Sequence, residues 1–280
     1  MAQRRSLSRL AVNLLPLWGR HLIAAVASLF ILRLVARRLG AELYGAWALL
    51  GTTSFLVGLS DLGLSVSLMR VAARLDNDAT RRLIRLTFLV VWLVGPCFCA
   101  IGYALLLRPS NASASLQADL DVAAPVALAA GLVGTLGAPL RAFLLIRGAF
   151  KPLTWARTSA SVVQVAVTFA SLTLCRALIA PSVGLLASAL VECAVLVSAS
   201  RQIDPLLPLH PAWPEAPAEV REAFRQGAAA FAINVGVFAA LRADVFILNA
   251  RLPLAAVGAY QVASRAVDQA FSFAKQTSGS

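Results

Sequence analysis

Apolar residues in this chain run in long, unbroken blocks, separated by short polar or basic stretches. The blocks do not alternate apolar with polar, as half-buried strands would. A helix needs about 20 largely apolar residues to cross a bilayer. Windows of that kind predict helices over Leu14–Val35, Tyr44–Met69, Leu83–Leu107 and Val122–Ile146. Four more follow over Ala160–Ala180, Ser182–Ser200, Gly227–Ala250 and Leu254–Phe273, the first two of these separated only by Pro181 and its neighbours. The expected fold is all-α: a polytopic membrane helix bundle of about eight spans, because lipid leaves no other partner for the backbone.

Composition agrees. Hydrophobic residues make up 59% of the chain and charged ones 14%, against roughly half and a quarter in soluble domains. The net charge of +12 suggests nucleic acid only until its distribution is examined. With the N-terminus inside, the cytoplasmic connections carry Arg4, Arg5, Arg9, Arg70, Arg74, Arg81, Arg82, Arg85, Arg147, Lys151, Arg157, Arg201, Arg221, Arg225 and Lys275. The other face carries Arg37, Arg38, Arg108, Arg176 and Arg251. That asymmetry predicts a multi-pass protein of the inner (plasma) membrane with both termini cytoplasmic, and it leaves nucleic acid without a role. The basic N-terminus flows into the first apolar run with no small-residue cleavage site, so it reads as a retained helix.

One connection differs. Residues 203–226 are polar and hold Pro205, Pro208, Pro211, Pro214 and Pro217, followed by an amphipathic stretch, Ala218–Arg225, that reads as a short interfacial helix. This predicts a six-helix lobe over residues 1–202, a cytoplasmic linker over 203–226, and the first two helices of a second, incomplete lobe over 227–280. A repeat spans the linker: Arg38 matches Arg251, Gly45 matches Gly258 and Trp47 matches Tyr260, each offset by 213 residues.

The segments that flank these matches carry a resemblance. The run from Ala36 to Trp47, with Ser60-Asp-Leu-Gly-Leu-Ser65 and Arg70-Val-Ala-Ala-Arg74, resembles the opening of polysaccharide biosynthesis proteins. These are the O-antigen and exopolysaccharide flippases of the multidrug/oligosaccharidyl-lipid/polysaccharide superfamily. Ala243–Leu248 and Val257–Arg265 are similar to the start of that family's second lobe. The resemblance implies two six-helix lobes around a cavity that opens alternately to each side. It also implies a polyprenyl-diphosphate-linked oligosaccharide as cargo, with membrane lipids, a polysaccharide polymerase and other assembly proteins as partners. On that pattern the chain stops at Ser280 about two helices into the second lobe, and it is expected to be a C-terminally truncated member.

Charges inside spans are costly and therefore point to function. Arg20, beside His21 in the first helix, together with Arg141, Arg242 and Arg265, are the candidates for substrate binding; the resemblance makes them contacts for a diphosphate. Asp61, Glu192 and Asp244 are the candidates for ion coupling or gating. Arg242 and Asp244, two apart on a helix, cannot pair directly, whereas Arg265 and Asp268 can. Glu192 reads as a lone carboxylate at mid-span, serving ion coupling or staying protonated and hydrogen-bonded.

No catalytic residues, metal or cofactor are expected. Cys97, Cys99, Cys175 and Cys193 lie within apolar runs without ligand spacing, and no phosphate-binding Gly-Lys loop is present. The competing readings are a drug or cation antiporter of the same superfamily, which would want a more acidic cavity, a membrane-embedded polysaccharide polymerase or ligase, and a non-transporting scaffold.

Overall fold

The computed structural model describes residues 2–71, 76–106, 113–175, 177–207, 209–211 and 217–264, with backbone alone for 2–25, 28 and 217–219. All regular structure among them is helical. Helix α1 covers Ala2–Val57 but is broken at Gly40 (φ 83°, ψ 176°), a positive-φ conformation that favours glycine. The break falls between the first two expected helices. The second of these does not run on to Met69. It ends at Val57, passes through a 3-10 turn (Gly58–Asp61) and a left-handed pair, Leu62 (φ 50°) and Gly63 (φ 75°), and resumes as α2, Leu64–Val71.

Helix α3 (Asn77–Leu106) starts where Asp76 accepts the Ala79 amide at 2.7 Å, a side-chain N-cap. The expected fourth helix is two: α4 (Ala114–Leu136) and α5 (Ala138–Ile146), divided at Gly137 with Pro139 in the first turn of α5. Helix α6 (Phe150–Leu174) begins well before Ala160, and α7 (Ile179–Ile203) before Ser182. Pro181 therefore lies inside the first turn of α7, where its missing N–H is harmless, and the connection from α6 is complete before it. Helix α8 (Pro217–Arg251) takes in both the stretch read as an interfacial helix and the seventh span. A last helix, α9, covers Leu254–Ser264; the rest of the expected eighth span lies outside the described residues.

Among the described residues, five segments are long and apolar enough to cross a membrane: Leu29–Asp61, Asn77–Leu106, Ala114–Ile146, Ile179–Ile203 and Val220–Arg251. The chain is a polytopic helical bundle. Helix α6 has the length, at 25 residues, but is not among the five. Arg157, Ser159, Ser161 and Gln164 dilute its hydropathy.

The repeat has a physical counterpart. A Cβ on Gly45 would lie 2.0 Å from the Leu254 carbonyl oxygen and 3.2 Å from the Gly258 nitrogen. A Cβ on Gly258 would lie 2.8 Å from the Ala41 carbonyl oxygen and 3.1 Å from the Gly45 nitrogen. Ala41 and Leu254 share the offset of the two glycines, so the two copies meet in a reciprocal, two-fold-like contact with their backbones touching.

Two apolar clusters hold the bundle. One gathers Val35, Trp47, Leu50, Leu120, Leu172, Leu178 and Val257; the other Leu64, Leu83, Phe88, Phe143, Leu153 and Leu196. Helices α6 and α7 contribute to both, and between the two clusters they carry polar positions, Arg157, Ser161 and Gln164 on α6 and Ser188 and Glu192 on α7. The site lies there.

Candidate functional site

A cavity of about 640 Å³ lies between α1, α4, α5, α6, α7 and α8. An adjoining recess of about 270 Å³ shares Gly51, Ser54, Arg157, Gln164, Leu185, Ser188 and Glu192 with it and extends toward Ala27, Ile31 and Trp47. Helical periodicity explains the lining. Arg157, Ser161 and Gln164 stand at i, i+4 and i+7 on α6, and Leu185, Ser188 and Glu192 at i, i+3 and i+7 on α7, so each helix turns one polar stripe inward.

The charged part of the wall is a triad. Glu192 is 9% exposed and accepts two guanidinium hydrogen bonds, Arg141 Nη1 to Oε1 at 2.9 Å and Arg157 Nη1 to Oε2 at 3.2 Å. Glu192 is thus not a lone carboxylate. Glu192 is the buried member, and leaving its charge uncompensated would cost several kcal/mol, roughly 3–5.

The two arginines differ. Arg141 is anchored a second time, Nη2 donating to the Gly134 carbonyl at 3.0 Å near the end of α4. Arg157 has a side chain 57% exposed, against 36% for Arg141. One guanidinium is therefore fixed in the wall and the other projects into open space. Two cations and one carboxylate leave the described charges of the lining one positive in excess.

The remaining polar wall is neutral. Ser54 Oγ donates to the carbonyls of Leu50 and Ala127, each at 2.9 Å. Ser188 Oγ donates to Leu185 at 2.8 Å and Ser161 Oγ to Arg157 at 2.9 Å. These hydroxyls spend their hydrogen on backbone and keep lone pairs to offer. Gln164 and Asn234 add amides that can both donate and accept. Such a surface suits a hydroxyl-rich ligand beside an anionic one.

The other expected residues are placed elsewhere. Asp61 is buried in the turn after α1, where Oδ1 accepts the Gly63 amide at 2.9 Å. Asp244 accepts from the Tyr260 hydroxyl of α9 and from its neighbour Val245 N at 2.8 Å. The Tyr260 hydroxyl reaches Asp244, and neither Arg242 nor Asp244 lines the cavity. The side chains of Arg20 and His21, and the whole of Arg265 and Asp268, lie outside the described residues. Of the four arginines named for substrate binding, the structure brings Arg141 to the cavity.

Arg157 was missed because the expected fifth helix began at Ala160, which left it among the basic residues of a connection. The i, i+4, i+7 recurrence of Arg157, Ser161 and Gln164 was the signal that could have found it.

No curated protein and no solved structure matches the chain. The family described as "Polysaccharide biosynthesis protein" matches residues 11–272, nearly the whole length, the triad included. The chain therefore belongs to the polysaccharide biosynthesis protein family.

Proposed function

We propose that this chain takes part in flipping a polyprenyl-diphosphate-linked oligosaccharide from the cytoplasmic to the periplasmic leaflet of the inner membrane, for O-antigen or exopolysaccharide assembly. The observation that carries the reading is the pair Arg141 and Arg157 meeting in a cavity whose remaining polar wall is neutral. Guanidinium groups recognise phosphate oxygens through planar, charge-assisted hydrogen bonds. The amides and hydroxyls of Ser54, Gln164, Ser188 and Asn234 would face sugar hydroxyls, and the prenyl tail would stay in lipid. The excess positive charge argues against a drug or cation antiporter, which needs acidic groups for its cargo.

Orientation with both termini cytoplasmic, and partnership with a polymerase and other assembly proteins, belong to the same proposal. Genetic complementation tests it. In a strain lacking its O-antigen flippase, the gene encoding this family member restores surface polysaccharide, and the Arg141→Gln/Arg157→Gln double variant, inserted at normal levels, does not. Full restoration by the double variant would remove the cationic cavity from the mechanism.

A further inference from the structure

Both guanidinium groups that face the cavity are bonded to the same carboxylate. Glu192 places one oxygen on each arginine, so it sits where two anionic oxygens of a ligand would have to sit. We infer that Glu192 is a built-in competitor, an internal stand-in anion that sets which ligands the two arginines accept. This rests on the reading of Arg141 and Arg157 as the anion contacts.

The physical argument is one of exchange. A ligand does not meet bare cations; it must replace two existing charge-assisted bonds, and only the surplus appears as affinity. A group with a single anionic centre trades with Glu192 at no gain. A diphosphate, with more charge and oxygens on two phosphorus centres, can hold both guanidiniums at once and wins the exchange. Selection by an opposing internal group is specificity by negative means.

The geometry gives the exchange a route. Arg157 is the exposed member and lies seven residues along α6, so it can swing with its ligand while Arg141 stays fixed on Gly134. Displaced from the arginines, Glu192 remains in a polar recess beside Ser188 and Gln164. Besides the two arginines, the Cys193 thiol on its own helix lies close by, and the α1, α4 and α8 walls of the cavity are uncharged. No second carboxylate among the described lining residues could take over the role.

The test is calorimetric titration of the purified full chain in neutral detergent with inorganic pyrophosphate and, separately, orthophosphate. The wild type is expected to prefer pyrophosphate clearly. Glu192→Gln keeps the shape and removes the competing charge. It is expected to tighten orthophosphate binding by roughly tenfold, the equivalent of about one charge-assisted bond, and to flatten the preference. Glu192→Asp, a methylene short of reaching both arginines, should fall between. Were Glu192 only a structural brace, both variants would bind these anions no better than wild type, or worse, and that result overturns the inference. If Glu192→Gln does not fold, the same comparison with Glu192→Asp decides it.

A separate arm uses farnesyl diphosphate as competitor against pyrophosphate. Failure to compete would count against a prenyl-diphosphate cargo while leaving the result on Glu192 intact.

Discussion

Arg81 and Asp204, 123 positions apart, are joined by two guanidinium hydrogen bonds, Nε to Oδ2 at 2.8 Å and Nη2 to Oδ1 at 2.7 Å. The bond ties the first turn of α3 to the residue just after α7. Asp204 also accepts the Leu206 amide at 3.1 Å, so the same carboxylate shapes the exit from α7. The Arg81 guanidinium holds the Asp204 carboxyl below its ordinary value of 3.8 against the opposing effect of desolvation, with the Leu206 amide and the Arg147 charge assisting.

A lowered carboxylate pKa fixes the sign of the pH effect. Asp204 contributes its full stabilisation above the unfolded value of 3.8, and the contribution is lost as pH falls through the lower folded value. Melting curves in detergent from pH 7 down to pH 3 should show wild-type stability dropping at the acid end. Asp204→Asn should melt lower at pH 7 and lose part of that acid limb. Identical acid limbs in the two proteins would refute the assignment.

Gly45→Ala should be costly for its size. The new methyl would meet the Leu254 carbonyl, which is backbone and cannot rotate away. Separating α1 from α9 is expected to destabilise by about 1–3 kcal/mol. Gly236→Ala, on a part of α8 where a Cβ meets nothing within 4 Å, should be neutral or stabilising by about 0.5–1 kcal/mol. Equal melting temperatures for the two variants would dismiss the close backbone contact.

Asp61 separates a structural from a charge-dependent role. Its Oδ1 accepts the Gly63 amide in a buried turn, so Asp61→Ala should destabilise by about 1–3 kcal/mol. Asp61→Asn keeps an acceptor oxygen and should retain both stability and surface-polysaccharide complementation. A stable Asp61→Asn protein without complementation would instead assign the charge a gating function.

The exposure difference within the triad predicts unequal tolerance. Arg157→Lys keeps a cation in open space and should preserve part of the complementing activity. Arg141→Lys cannot serve both Glu192 and the Gly134 carbonyl in the same geometry, and should lower activity by roughly tenfold or more. Quantifying surface polysaccharide at matched protein levels checks the order of the two.

Much of the bundle was legible because lipid imposes one requirement on every span. Hydropathy placed α3, α7 and α8 to within a few turns, whereas the contact between Gly45 and Gly258 is visible only in the structure. Hydropathy could not see the turn at Leu62, since nothing in Ser60-Asp-Leu-Gly marks a left-handed leucine inside an apolar run. At the site, Arg141 and Glu192 were found because they interrupt apolar runs. That one answers the other is a tertiary fact, set by α5, α6 and α7 converging and carried by no spacing in the chain. Arg157 escaped because a helix that lines a cavity hides its polar face from any average over the whole turn.

That feature of α6 bears on how the protein is made. An arginine at the centre of a span costs about 2.5–3.5 kcal/mol, and Arg157, the eighth residue of α6, would bear part of that cost if its helix entered the membrane alone. Helix α7 follows after a short connection and brings Glu192 alongside. The two are therefore suited to leave the insertion machinery together, as a hairpin whose charges are already matched. The same carboxylate that later stands in for cargo would first serve as the passport of its neighbour.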